Sequence, residues 1–206
     1  MIAAMRVAIV DYQAGNQTSV QRALAHLGVA AEVSADPAVI AGADKVVFPG
    51  VGAAGSCMGT LRSAQLDRAL ADVVARGTPL LCVCIGMQLL FEFSDEDGGT
   101  PCLGVLPGLV ERFQPEDPAV KIPHMGWNPV RAAKDPLFAG IAPESCFYFV
   151  HSFYCAPGPG VEVIASADHG GRFCAGVRRG SLAAVQFHPE KSGPAGLRLL
   201  ENFAKS

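Results

Sequence analysis

The chain has 206 residues, of which 50% are hydrophobic and 17% are charged, and its formal net charge is −3. This composition indicates a globular protein with a large core, and the lack of basic excess argues against a nucleic acid ligand. The longest apolar run, residues 80–91, is too short to span a bilayer. The first residues, MIAAMRVAIVDY, lack the basic head and long apolar core of a secretory leader. We therefore expect a cytoplasmic protein, folded as one domain over residues 1–206.

Apolar runs of strand length alternate with helical periodicity in the first half of the chain. Strands are expected at residues 6–11, 31–34, 45–48 and 79–83, and helices around 20–27, 57–76 and 86–91. Six strand-like runs follow at 109–113, 127–131, 146–151, 162–167, 172–177 and 182–187, before a last helix that opens at Gly193. The order predicts an α/β fold, an open and mostly parallel sheet with helices on both faces and an added antiparallel or mixed β portion.

Cys84 stands between the apolar strand at 79–83 and the helix that follows. A side chain at such a junction is presented at the carboxyl end of the strand, which is the geometry of a nucleophile elbow. Free N–H groups and the dipole at the start of the helix would favour the thiolate, and the amide of Ile85 would be placed to stabilise an oxyanion. The alternative is an apolar strand with a packed, inert cysteine.

His188 and Glu190 follow another apolar strand, SLAAVQF, and supply the groups that a thiol nucleophile needs. Pro189 favours an extended backbone at His188, and residues i and i+2 of an extended segment project to the same side. Glu190 can then hold one imidazole nitrogen while the other takes the proton of the thiol. The alternative is a solvent-facing pair in a turn. Cys84, His188 and Glu190 nevertheless share the strand-end position at which open α/β sheets carry their sites.

Two other patterns suggest different chemistry. Cys82 and Cys84 are close together among seven scattered cysteines, but no CxxC pair accompanies them, so a zinc site is disfavoured and we predict no metal or cofactor. Residues 50–55, GVGAAG, fit the G-x-G-x-x-G pattern of a dinucleotide site. They follow the third strand rather than the first, Pro49 precedes them, and no acidic residue ends a later strand at the usual spacing, so nucleotide binding is disfavoured too.

The segments VCIGMQLLF, QFHPEKS and FPGVGAAGS resemble those of class I, triad-type glutamine amidotransferases. More narrowly, DYQAGNQTSV, PHMGWN and YFVHSFY are similar to segments of the glutaminase subunits of imidazole glycerol phosphate synthase, and the matches run in order from residue 9 to residue 192. The resemblance implies hydrolysis of L-glutamine through a thioester on Cys84, with His188 and Glu190 completing a catalytic triad. It also implies further site residues, which are the oxyanion-hole amides of Ile85, Val51 and Gly52 and a glutamine site of Gln88, Glu96, Ser152 and Phe153.

The same resemblance implies a heterodimer with a cyclase of (β/α)8-barrel fold. Ammonia would pass through the barrel to a ribulosyl-phosphate intermediate of histidine biosynthesis, giving imidazole glycerol phosphate and an aminoimidazole carboxamide ribotide. The implied docking face consists of His124, Met125, Gly126, Trp127, Asn128, Tyr148 and Lys191. At Trp127 the alternative is a plain core residue, and at Lys191 it is a solvent-facing charge.

Two other functions remain open, which are a different triad-type amidotransferase, such as one serving pyridoxal phosphate or nucleotide synthesis, and a non-catalytic binding subunit of the same fold. PHMGWN and YFVHSFY argue against the first, and the intact set of Cys84, His188 and Glu190 argues against the second. One departure from the family pattern is Cys82, which takes the place of the usual first glycine of the elbow. We expect it to be tolerated and to offer a second thiol that could oxidise with Cys84.

Overall fold

The computed structural model describes residues 5–13 and 15–206. Its helices are α1 (Gln17–His26), α2 (Pro37–Gly42), α3 (Ala54–Ser63), α4 (Leu66–Ala75), α5 (Ile85–Gln88) and α6 (Gly193–Lys205). Its strands are β1 (Val7–Val10), β2 (Ala31–Ser34), β3 (Lys45–Phe48), β4 (Leu80–Val83), β5 (Phe93–Ser94), β6 (Thr100–Pro101), β7 (Gly108–Arg112), β8 (His124–Pro129), β9 (Arg131–Ala132), β10 (Cys146–His151), β11 (Phe153–Pro157), β12 (Glu162–Asp168), β13 (Arg172–Arg179) and β14 (Leu182–Val185). None of the described helices is long and apolar enough to cross a membrane.

The large sheet has a parallel half and an antiparallel half. The parallel half has the order β2, β1, β3, β4, β14. β13 pairs antiparallel with β14 and leads on to β11 and β7, and β12 also pairs with β13. A separate antiparallel pair joins β8 to β10. The predicted fold class, a mostly parallel open sheet with an added antiparallel portion, is confirmed.

Helices cover both faces of the parallel half, because β1, β3, β4 and β14 are buried along their whole length and need apolar cover on either side. On one face α2, α3 and α4 contribute buried side chains that include Ile40, Met58 and Leu70. On the other face α1 and α6 contribute Leu24 and Phe203, among others. The carboxyl edge of the strands is left open for functional groups.

The single helix predicted over residues 57–76 is wrong, because α3 and α4 share that stretch. Gln65 lies between them with φ 57°, a left-handed conformation that ends one helix and redirects the chain. Leu61 and Leu66 on either side are both fully buried. The bend therefore lets two short helices bury their apolar faces in one core. No glycine or proline marks it in the sequence.

Several short elements lie outside the predicted set, namely α2, β5, β6, β9 and β11. Helix α2 does carry a start signal, because the side chain of Asp36 accepts a hydrogen bond from the amide of Ala38 at 2.8 Å and Pro37 occupies the first helical position. β11 follows β10 after only one residue, Ser152, so the sequence shows no turn between them.

Candidate active site

Cys84 follows β4 directly and has φ 55° and ψ −112°, a conformation that L-residues rarely adopt. Its amide donates a hydrogen bond to the carbonyl of Val185 on β14 at 2.8 Å. Two residues further on, Gly86 packs so closely on β3 that an added Cβ would lie 2.1 Å from the carbonyl oxygen of Phe48. Only glycine fits there. Both neighbouring strands thus hold the sharp turn that presents the sulfur at the edge of the sheet.

The helix after Cys84 is shorter than expected, because α5 is a single turn that ends at Gln88. A single turn has little macrodipole, so its contribution at Cys84 is a free amide rather than a helix field. The amides of Ile85, Val51 and Gly52 donate to no backbone carbonyl within the described part of the chain. Gly50 lets the loop that carries Val51 and Gly52 pack closely on Tyr12 and Ile85, since a Cβ at position 50 would lie 1.7 Å from the hydroxyl of Tyr12 and 2.7 Å from the Ile85 side chain. These three amides are therefore available as oxyanion donors.

His188 and Glu190 lie at the same edge as Cys84, because β14 runs parallel to β4 with Val185 opposite Val83. His188 Nδ1 is 2.8 Å from Glu190 Oε1, and both side chains are fully buried. His188 has the extended backbone expected, with φ −100° and ψ 95°, but Pro189–Lys191 form a 3-10 turn rather than a continued extended segment. The turn still brings the two side chains into contact. The carboxylate accepts a hydrogen bond from Nδ1–H and leaves Nε2 for the thiol.

Two charged neighbours set the protonation of His188. Burial lowers its pKa, but the Cys84 thiolate and then the Glu190 carboxylate raise it, and the resulting pKa is about 10. His188 Nε2 has no hydrogen-bond partner among the described residues. Facing a thiolate, the imidazole therefore holds its second proton at neutral pH and can deliver it to a leaving group.

Asn16 is a site residue that sequence reasoning missed. It precedes α1 in a left-handed conformation, with φ 72°. Its Nδ2 donates a hydrogen bond to Glu190 Oε1 at 2.6 Å and lies 3.2 Å from His188 Nδ1. Because that nitrogen already donates to Glu190, the amide acts on the carboxylate and helps to orient it. The available signal was its place in a polar loop after β1, at the carboxyl edge of the sheet.

A cavity of about 270 Å³ opens beside Cys84. The predicted residues that line it are Val51, Gly52, Cys84, Ile85, Gln88, Glu96, Ser152 and Phe153, and Val150 and His151 complete the wall. His188 and Glu190 are buried behind the nucleophile rather than in the wall. The structure therefore brings the predicted nucleophile, oxyanion donors and glutamine contacts around one space.

The dinucleotide alternative does not fit the loop at residues 50–55. Glu96 Oε2 accepts a hydrogen bond from the amide of Ala54 at 2.8 Å, and Asp97 Oδ2 accepts one from Gly55 at 3.0 Å. These carboxylates occupy the start of α3, where a phosphate would otherwise bind. Burial raises the pKa of Glu96, while the Ala54 amide opposes that rise. No group of three or more His, Cys, Asp or Glu side chains is arranged to hold a metal ion in the described residues.

Cys82 does not offer a second thiol to the nucleophile. It is completely buried among the side chains on the α3 and α4 face of the sheet, whereas Cys84 belongs to the cluster on the opposite face. The turn at Cys84 reverses the alternation that would otherwise place residues two apart on one side. Burial also raises the pKa of the Cys82 thiol. The expectation of oxidation between the two cysteines is therefore wrong, although the strand accommodates Cys82.

The predicted docking face is built on the β8 and β10 pair. Met125 and Trp127 on β8 are 63% and 58% exposed, which is unusual for large apolar side chains. Tyr148 lies opposite Trp127 across the strands, with ring centroids 6.2 Å apart, and Lys191 Nζ is 5.8 Å from the centre of the Tyr148 ring. Gly126 is half-buried between them. These aromatic and cationic groups form one continuous surface.

His124 is the exception, because its side chain is buried with only 4% exposure. It stacks on Phe149 and His169, with centroids 4.7 Å and 4.1 Å away. Asn128 also turns inward, and its Nδ2 lies 3.1 Å from His124 Nε2 and 2.8 Å from the carbonyl of Asp168. The placement of His124 on the exposed docking face is therefore wrong; it supports that face from beneath.

His124 and His151 form a neutral pair in this cluster. His124 Nδ1 is 2.9 Å from His151 Nε2, and His151 Nδ1 is 2.7 Å from the carbonyl of Phe153. Because that carbonyl only accepts, His151 carries its proton on Nδ1, and its Nε2 accepts a hydrogen bond from His124 Nδ1–H. This run of hydrogen bonds leaves no place for an extra proton on His151. Burial lowers the pKa of His124 to about 4. Burial also lowers the pKa of His151 to about 3, although the hydrogen bond to the Phe153 carbonyl acts to raise it.

We expect this pair to make the protein sensitive to acid. The unfolded histidines bind protons near their ordinary pKa of 6.5 and the folded ones do not, so stability falls as pH drops below 6.5. At pH 5 the loss is about 2 kcal/mol per histidine. Urea unfolding at pH 7 and pH 5 measures it. His124→Asn should reduce the pH dependence, whereas the exposed His26→Asn should not; equal dependence in both variants would contradict this account.

The chain is similar to known proteins over nearly its whole length. The family described as Glutamine amidotransferase class-I matches residues 8–206. The protein "Imidazole glycerol phosphate synthase subunit HisH" of Desulfovibrio desulfuricans is 51% identical over 203 residues, covering 96% of this chain and 93% of that protein. The protein of the same name from Methylococcus capsulatus is 49% identical, covering 97% of this chain and 95% of the relative.

Among solved structures, the structure of PurLQS from Thermotoga maritima superposes with a TM-score of 0.73 and covers 98% of both chains. Its sequence is only 17% identical, so this likeness speaks for the fold alone.

Proposed function

The chain belongs to the class-I glutamine amidotransferases, and we propose that it is the glutaminase subunit of an imidazole glycerol phosphate synthase. It hydrolyses L-glutamine to glutamate and ammonia and passes the ammonia to a cyclase in histidine biosynthesis. The observation that carries the proposal is that Cys84, after β4, and the hydrogen-bonded pair of His188 and Glu190, after β14, lie at one edge of the sheet, where Cys84 lines a cavity. The relatives named HisH, about half identical over nearly the whole chain, favour this amidotransferase over others with the same fold.

In the first half of the reaction the Cys84 thiolate attacks the side-chain carbonyl carbon of glutamine. A carbon–sulfur bond forms, and the carbonyl oxygen becomes an oxyanion that the amides of Ile85 and of the loop at Val51 and Gly52 stabilise. Removing one such donor typically costs about 3 kcal/mol in the barrier. As the carbon–nitrogen bond breaks, His188 gives its Nε2 proton to the departing nitrogen, which leaves as ammonia.

In the second half a water molecule hydrolyses the γ-glutamyl thioester. His188, now neutral, takes a proton from the water, and the resulting hydroxide adds to the thioester carbon. The carbon–sulfur bond breaks, glutamate is released and the thiolate returns beside the imidazolium. Glu190 accepts a hydrogen bond from His188 Nδ1–H throughout, with Nδ1 2.8 Å from Oε1, and Asn16 donates a hydrogen bond that orients the carboxylate. Their role is to keep one tautomer and one ring orientation.

The partner in this proposal is a (β/α)8-barrel cyclase that forms a heterodimer through the β8 and β10 surface. Exposed aromatic side chains are common anchors of protein interfaces, and Met125, Trp127 and Tyr148 lie together there. The chain would act as one domain, and the biosynthetic role named for its relatives would place it in the cytoplasm.

Trp127→Ala is expected to weaken cyclase binding about 30-fold, the effect of losing an interface anchor worth about 2 kcal/mol. Titration of the labelled chain with cyclase measures this affinity. Leu109→Ala provides a matched control, because Leu109 is an apolar residue with 45% exposure on β7, away from the docking face. Equal affinities for the two variants would remove Trp127 from the interface.

The function itself is tested by measuring glutamate release from glutamine by the purified chain, alone and with a cyclase and its ribulosyl-phosphate ligand. Release that rises with the cyclase supports a glutaminase subunit with this partner. Absence of release under every condition would instead indicate a non-catalytic subunit. Release that is unaffected by the cyclase would point to another amidotransferase.

A further inference from the structure

Gln186 is a fully buried polar residue that the reaction described above does not use. It lies between β14 and His188, and its backbone amide donates to the carbonyl of Ala175 at 2.9 Å. Its side chain points at the nucleophile, with Nε2 3.7 Å from the sulfur of Cys84, a hydrogen-bonding distance for sulfur. An amide buried this completely is stable only if its polar atoms have partners.

The orientation of this amide follows from its neighbours. The carbonyl of Phe153 can only accept, so the atom of Gln88 that lies 3.0 Å from it is the amide nitrogen. The same nitrogen is 2.9 Å from Gln186, which must therefore present its oxygen to Gln88. The nitrogen of Gln186 is consequently the atom that faces Cys84. The chain of donors runs from Gln88 to Gln186 and on to the sulfur.

We propose that Gln186 is a further catalytic residue, whose side-chain amide donates a hydrogen bond to the Cys84 sulfur and is held in that orientation by Gln88. The inference rests on the glutaminase reaction proposed above, because it concerns the same nucleophile. A thiol is a weak acceptor and a thiolate is a strong one, so the bond is strongest when the sulfur is anionic. It weakens in the neutral thioester.

This change in strength determines what Gln186 does in the reaction. Before acylation the bond raises the fraction of Cys84 present as thiolate. During breakdown of the thioester it stabilises the sulfur as the leaving group. Unlike His188, the neutral amide does both without exchanging a proton, so it acts in each half of the reaction in the same state.

Two substitutions separate this role from simple packing. Gln186→Met keeps the length of the side chain and removes both polar atoms. Gln186→Glu keeps an oxygen that can accept from Gln88 but replaces the donor to sulfur with a negative charge. If the hydrogen bond from Gln186 to the sulfur matters, activity falls in both variants and falls further in Gln186→Glu. If Gln186 only positions Gln88, Gln186→Glu retains more activity than Gln186→Met.

The measurements are kcat and KM for glutamine with saturating cyclase, and the pH dependence of iodoacetamide alkylation at Cys84, followed on the peptide that contains it. We expect kcat of Gln186→Met to fall about 10- to 100-fold, the effect of a hydrogen bond to a charged group. The midpoint of alkylation should move to higher pH by about one unit. Gln88→Met, which frees the Gln186 amide without changing it, should shift the midpoint in the same direction.

The proposal would be overturned if the alkylation midpoint of Cys84 were unchanged in folded Gln186→Met and Gln88→Met proteins. It would also be overturned if Gln186→Glu were more active than Gln186→Met. Circular dichroism and cyclase binding establish that each variant is folded. If Gln186→Met does not fold, Gln88→Met decides the question alone. Failure of the wild-type protein to release glutamate would refute the proposed function separately, because alkylation of Cys84 requires no turnover.

Discussion

Replacing Cys84 with alanine is expected to reduce glutamate release in the presence of cyclase by at least about a thousandfold. Without the sulfur no thioester forms, and water would have to attack the amide directly. The free amides of Ile85 and the 50–52 loop can still polarise a bound carbonyl, so a small residual rate is expected. Steady-state glutamate release by the variant and the wild-type protein measures the loss.

Cys82→Ala is the matched control, because it removes a sulfur two residues away that faces the opposite core. It is expected to lower thermal stability while keeping glutaminase activity within a few-fold of wild type. Cyclase binding by Cys84→Ala should be unchanged, since Cys84 is only 6% exposed and the docking face lies on β8 and β10. Wild-type release by Cys84→Ala would exclude this residue as the nucleophile.

His188→Gln is expected to lower kcat/KM for glutamine by about a thousandfold, within the range for loss of a general acid and base. The wild-type imidazole, with its pKa near 10 beside the thiolate, carries the proton that the leaving nitrogen needs. Glutamine in its place can donate a hydrogen bond to sulfur but cannot transfer a proton. Its amide can also contact Glu190, so the site should keep its shape.

The control for this variant is His26→Gln, on the exposed face of α1, which should leave kcat/KM unchanged. A loss of less than tenfold in His188→Gln would show that another group supplies the proton. The other buried histidines offer no replacement, because His124 and His151 use their ring nitrogens within their own hydrogen-bonded chain.

The sequence was most informative where one residue type is required at one place. Cys84 follows one apolar strand, and His188 and Glu190 follow another. Because parallel strands end at a common edge of the sheet, this placement predicts that the three residues lie at the same edge. Gly86 was required by its close approach to Phe48. The residues around the cavity came from family resemblance rather than from periodicity, since nothing in their spacing indicates that Glu96 and Phe153 are neighbours.

What the sequence left out depends on tertiary contacts. The left-handed turn at Gln65 has no local signal, so the sequence predicts one helix where the structure has α3 and α4. The predicted strand at 127–131 leaves out His124, whereas β8 begins there, so the alternation that puts His124 on the face opposite Met125 and Trp127 is not evident from the sequence. Its packing on Phe149 and His169 shows that it points inward. Asn16 and Gln186 act on residues far away in the chain, and their roles became visible only as distances to Glu190 and Cys84.

The central claim is that Cys84 is the nucleophile of a glutamine site, and covalent labelling tests it most directly. A glutamine analogue with a chloromethyl ketone in place of its amide should alkylate Cys84 alone among the seven cysteines, and glutamine should protect against it. Cys146 is an internal control, because it is exposed and would react first with a non-selective reagent. Labelling at Cys146 or another residue, with Cys84 unmodified, or labelling of Cys84 that glutamine does not slow, would contradict the account.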